Sequence, residues 1–113
     1  MAKTLYELLE TRYDVKSTGK VKTVDVTETL PATEVAQLNP NRSGLLFSNT
    51  STAIIYLSLE KAMGLTDGII LTPSGGSFSV NWFEDFYITG WSWYAVANAA
   101  GGKLTVVESI ITG

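Results

Sequence analysis

The chain has neither cysteine nor histidine. Without cysteine there is no disulfide, no thiol nucleophile and no cysteine-held zinc. Without histidine the usual general base, the commonest metal ligand and every His-containing triad are missing as well. An enzyme is therefore not expected, and no cofactor is implied. Charge is scarce and unevenly placed. Ten of the nineteen charged residues fall in residues 1–30, and the other 83 residues hold nine: Glu34, Arg42, Glu60, Lys61, Asp67, Glu84, Asp85, Lys103 and Glu108. An ordinary soluble domain is about 25% charged, so this part of the chain carries less than half the usual share. Such a body covers itself with Ser, Thr, Asn and Gly, or loses surface to partner subunits. The net charge of −3 and the low pI of 4.8 argue against a phosphate-backbone partner, so no nucleic acid is expected. No apolar run approaches the ~20 residues that span a bilayer. Residues 1–15 carry Glu7, Glu10, Arg12 and Asp14 where a secretion signal has an uncharged core. A soluble chain made in the cytoplasm, with no membrane partner, is the expectation.

What is present reads as β-structure after a short helical start. Thr4-Leu5-Tyr6-Glu7 fits the capping box, in which Thr4 caps the Glu7 amide and Glu7 reaches back to the Thr4 amide. Leu5, Leu8, Leu9 and Tyr13 then share one stripe, which predicts a short amphipathic helix over 4–13. Ten residues are marginal alone, so the stripe must dock, on its own body or on a neighbouring subunit. Residues 1–30 are read as this helix and an arm, residues 31–113 as the body.

The body is organised around Asn41–Glu60, two apolar runs (45–48 and 53–59) separated by Asn49-Thr50-Ser51-Thr52. That pattern predicts a β-hairpin. Before it, Val24 and Val26 alternate with polar neighbours in a strand over 21–27. Val35 and Leu38 are expected to tuck inward as an irregular edge strand or single helical turn, ahead of the Asn39-Pro40-Asn41 turn. After it come strands at 69–72, 77–82, 86–89, 91–97 and 103–108, parted by Pro73-Ser74-Gly75-Gly76, Gly90 and Gly101-Gly102. About seven or eight strands at ~8–12-residue spacing predict an all-β antiparallel β-sandwich or jelly roll.

Seven of the twelve aromatics lie in residues 82–94. Along 90–98, Trp91, Trp93 and Ala95 share one face, and Ser92, Tyr94 and Val96 the other. Neither face is polar, so this strand is either central and covered on both sides or part of a subunit interface. An exposed row of Trp82, Trp91 and Trp93 is also a stacking platform for sugar rings. Glu84-Asp85 is the one adjacent acidic pair, but strand neighbours point to opposite faces, which spoils a two-carboxylate glycosidase. With Glu60 and Asp67 it lacks EF-hand spacing for calcium. Arg42, one of two arginines, has a planar fork suited to a carboxylate such as Glu108 or to backbone carbonyls, a structural role.

Asn41-Arg42-x-x-Leu45, Phe47-Ser48-Asn49, Ile54-Ile55-Tyr56-Leu57-Ser58, Ile70-x-Leu-x-Pro-x-Gly-Gly, Tyr87-Ile88-Thr89-Gly90-x-x-x-Tyr94-Ala95 and Gly101-Gly102-Lys103-Leu104-Thr105-Val106-x-Glu108 together resemble small virion proteins of tailed bacteriophages. The resemblance covers about residues 38–109; the N-terminal helix and the Trp91/Trp93 pair lie outside it. It implies a compact sandwich on a capsid or other virion surface. The expected role is a capsid decoration or cement protein, a homo-oligomer (a trimer as the first guess), bound to the major capsid protein or another virion protein. Contacts are then expected from Leu5, Leu8, Leu9 and Tyr13 on the arm and from Trp91 and Trp93 on the body. The competing expectation is a glycan-binding adhesin of a head fibre or tail tip.

Overall fold

The computed structural model describes residues 17–64, 68–81 and 86–111. Eight strands form, in chain order: β1 (Ser17–Val26), β2 (Thr33–Ala36), β3 (Arg42–Asn49), β4 (Ile55–Ser58), β5 (Ile69–Leu71), β6 (Ser77–Asn81), β7 (Trp93–Ala97) and β8 (Gly102–Ile111), with a 3₁₀ turn at Phe86–Gly90 between β6 and β7. They make two four-stranded antiparallel sheets, ordered β1-β8-β3-β6 and β2-β7-β4-β5. The pairs β1/β8, β2/β7, β3/β6 and β4/β5 are nested: the chain doubles back at the β4–β5 connection, and the doubled chain wraps around one core.

Alternation drives this. On β8, Leu104 and Val106 are fully buried, while Lys103 and Thr105 point outward. Leu45 and Phe47 of β3, Ile55 and Leu57 of β4, and Trp93, Ala95 and Ala97 of β7 line the same core. Each sheet thus turns an apolar face inward, and packing those two faces together removes both from water. The Trp93 ring lies 5.5 Å from Phe47 and 5.9 Å from Phe78, tilted by 53° to each. Its indole Nε1 donates to the Ile88 carbonyl at 3.0 Å, so the buried N–H is satisfied. The outer face of the second sheet is covered in part, over β2, β7 and β4, while Ile70 of β5 stays 61% exposed. Met63, from the β4–β5 connection, packs with Ala32 and Val96 between Tyr56 and Tyr94.

The all-β antiparallel sandwich is as expected, and several finer expectations change. The predicted hairpin is an arch: β3 pairs with β8 and β6, whereas β4 pairs with β7 and β5 in the opposite sheet. Both runs bury a face in the same core, so they oppose each other across it. The connection is buried at Asn49, Ser51 and Ala53, where a hairpin turn would be wet. Asn49 holds it, donating through Nδ2 to the Ala53 and Leu71 carbonyls (2.7 and 3.0 Å) and accepting at Oδ1 from Ser51 N and Oγ (3.0 and 2.7 Å).

The strand predicted at 86–89 is the 3₁₀ turn, and β7 begins only at Trp93. Val35 is buried as expected, but Leu38 is 66% exposed. The boundary drawn at residue 30 also moves. β1 pairs with β8 over ten positions and puts Val26 in the core, so residues 17–26 belong to the sandwich. The helix expected over 4–13 lies outside the described residues.

Candidate functional site: the Arg42 end of the sandwich

β1 and β8 are ten residues each, whereas β2 across the core has four. The far half of the β1–β8 ribbon therefore extends past the second sheet, and the β2–β3 connection crosses beneath it. A register shift between Arg42 and Gly44 inserts one extra residue into β3. Such a bulge re-aims side chains. Ser43 takes the outward position and hydrogen-bonds the Ser109 hydroxyl and carbonyl, at 3.1 and 3.2 Å. Arg42, opposite Ile110, turns inward and is 2% exposed.

A buried guanidinium costs several kcal/mol unless it is paired and hydrogen-bonded. Here Nη2 donates to the Gln37 carbonyl at 2.6 Å, and Nη1 to the Thr89 and Trp91 carbonyls at 3.2 Å each. Nε faces Glu108 Oε2 at 3.4 Å. The single short contact is to a carbonyl, so Arg42 acts chiefly as a plug that satisfies three loop carbonyls, with Glu108 balancing its charge. The carboxylate and the carbonyls, the alternatives set out from sequence, both take part. The plug ties the β2–β3 connection and the 3₁₀ turn to β3 and β8. The Asn39 amide donates to the Gly90 carbonyl at 2.8 Å and joins the two loops directly. Thr89 Oγ1 is buried without a hydrogen-bond partner among the described residues.

Around this rigid base lies a half-open groove of about 480 Å³, whose lining includes Lys20, Lys22, Leu38, Asn39, Glu108 and Ile110. Lys22 Nζ reaches Glu108 Oε1 only at 3.9 Å, with its side chain 47% exposed; such a pair contributes about 0–1 kcal/mol. The groove thus offers two exposed ammonium groups beside an aliphatic wall, a chemistry of binding and docking. Leu38 and Trp91 (47% exposed) stand next to carbonyls held by the same guanidinium. Val21 is 70% exposed on the nearby ribbon.

Of the contact residues expected from sequence, Trp91 is on the surface. Trp93 is not: at 1% exposure it is a core residue, because β7 is central and its Trp93 face looks at Phe47. The alternative of a central strand covered on both sides is what the structure has. Leu5, Leu8, Leu9, Tyr13 and Trp82 lie outside the described residues, as do Asp67, Glu84 and Asp85. Sequence reasoning missed Leu38 and Val21. Their signal was an aliphatic residue inside a turn-rich connection and one inside a strand of lysines. Compared with protein-family models, characterised proteins and solved structures, the chain matches none.

Proposed function

We propose that this protein is a non-enzymatic structural component of a tailed-phage particle, a decoration or cement-type β-sandwich that works through contacts between protein surfaces. One observation carries the reading. Aliphatic and aromatic side chains (Val21, Leu38 and Trp91) stand exposed around an end of the sandwich that the Arg42 plug makes rigid. Exposed apolar side chains on a fixed frame suit docking, since little order has to be created on binding. The nested strand pairing is that of a jelly roll, an architecture used by capsid proteins but also by lectins and cupins; it supports the reading by analogy alone. The proposed partners are further copies of the chain and a capsid or other virion protein. The N-terminal residues, with Leu5, Leu8, Leu9 and Tyr13, are proposed to add a docking helix. Many weak contacts repeated over a particle hold firmly.

Co-sedimentation with purified phage shells tests this. Saturable binding, weakened about tenfold or more by Trp91→Ala, is expected. A second reading rests on the same indole. Trp91 is exposed and can stack on a sugar ring, as a glycan-binding adhesin requires. Trp fluorescence that shifts on adding oligosaccharides, with no binding to shells, would replace the first reading by the second.

A further inference from the structure

The two outer faces of the sandwich are treated differently. The second sheet is covered in part by the chain's own Met63 loop, with Ile70 of β5 left 61% exposed beside Tyr56. On the outer face of the first sheet Val21 is 70% and Leu46 39% exposed, and that face is almost free of charge. Outward positions are Gly19, Val21, Thr23 and Asp25 on β1; Lys103, Thr105, Val107, Ser109 and Ile111 on β8; Gly44, Leu46 and Ser48 on β3, with Ser43 at the bulge; and Ser77, Ser79 and Asn81 on β6. Its two charges, Asp25 and Lys103, are cross-strand partners at one rim. A surface of this size ordinarily carries about 25–35% charged residues. Across the middle, Val21, Val107 and Leu46 are in direct register on three adjacent strands. A Gly19-Ser109-Gly44 row flanks them on one side and Thr23-Thr105-Ser48 on the other. The result is an apolar bar set in small, flat, neutral neighbours.

We infer that this face is the contact between two copies of the chain, packed sheet to sheet about a twofold axis. The inference deepens the structural-protein reading and rests on it. A charged partner finds only the mutually paired Asp25 and Lys103 at one rim, whereas a second copy is self-complementary. Rotation by a half-turn lays one Val21-Val107-Leu46 bar on the other. It also sends the Asp25–Lys103 rim of each copy to the uncharged Ile111 end of its mate, so like charges never meet. Strand spacing of about 4.8 Å and a two-residue repeat of about 6.7 Å give roughly 30 Å² of footprint per outward residue. The face then buries on the order of 1,000 Å² in total, at the lower bound for a specific interface. A twofold pair, and not the trimer expected from the sequence, is the unit this face builds.

Light scattering on the full chain decides it. Wild-type protein at high micromolar concentration should show twice the 12.2 kDa chain mass. Leu46→Lys and Val107→Lys place a charge on the bar without touching the core. Each should raise the dimer dissociation constant about 100-fold and leave the thermal midpoint of the dilute monomer within a few degrees. Leu38→Lys, away from this face, should leave the mass unchanged. A monomeric or trimeric wild type overturns the inference, as does a dimer indifferent to Leu46→Lys. If Leu46→Lys abolishes shell binding while the wild type is monomeric, the face belongs to the shell protein, and pairing between copies is overturned. Shell binding is scored separately, so loss of the broader reading is told apart from loss of this one.

Discussion

Arg42 and Asn49 stand at opposite ends of β3, and each resolves the same difficulty. Where a strand leaves a sheet, the loops beside it turn backbone carbonyls inward, away from water. A buried carbonyl left without a donor costs about 1–3 kcal/mol. Arg42 satisfies three such carbonyls through two nitrogens, and the Asn49 amide satisfies two more. Arg42→Met keeps much of the volume and removes every donor, leaving the Gln37, Thr89 and Trp91 carbonyls and the Glu108 carboxylate without it. Urea unfolding should show a loss of about 3–5 kcal/mol. Arg42→Lys should recover only part of that, because a single ammonium does not reproduce the planar fork. Equal stability of the Met variant and the wild type would show that the plug is dispensable.

At the scale of elements, β7 decides what the Trp-rich stretch does. The 3₁₀ turn ends at Gly90, and β7 starts at Trp93 in the interior of the second sheet. The two tryptophans, two residues apart, are therefore separated by a change of element, and only Trp93 enters the core. Trp93→Ala should cost about 3–5 kcal/mol and lose a blue-shifted emission component. Trp91→Ala should change stability by no more than about 0.5 kcal/mol. Its effect belongs to binding instead. Had the strand run from Trp91, as period-two alternation predicts, both rings would share a face and both substitutions would be costly. The arch between β3 and β4 was hidden for a related reason. Two alternating runs joined by polar residues describe a hairpin and an arch equally well. Only burial of the joining residues, here Asn49, Ser51 and Ala53, separates them.

For the molecule as a whole, the longest ladder joins β1 to β8, from Ser17 against Ile111 to Val26 against Gly102, and so pairs the first and last described strands. Loop closure has to be paid for in entropy before that ladder forms, so folding should be slow for a chain of this size. Stopped-flow dilution from urea, followed through Trp93 emission, should show refolding in milliseconds to seconds. A microsecond phase with full native amplitude would contradict the topology. The same ladder, outrunning the second sheet, creates the ribbon whose inner side forms the groove and whose outer side carries Val21 and Val107. One long pairing thus positions both candidate contact surfaces.

Period-two alternation and regularly spaced turns are legible along the chain, and they demand sheets that turn an apolar face inward, which is enough to give the class of fold. The residue pattern also marked Asn41–Glu60, which holds β3 and β4, as the stretch the body is built around, and Arg42 as a structural cation able to reach Glu108. Which sheet each strand joins, which tryptophan is buried and which aliphatic residues stay wet emerge only when the elements pack. Those outcomes depend on what lies across the core from a residue, and alternation along a chain encodes which side a residue takes without encoding what waits on that side.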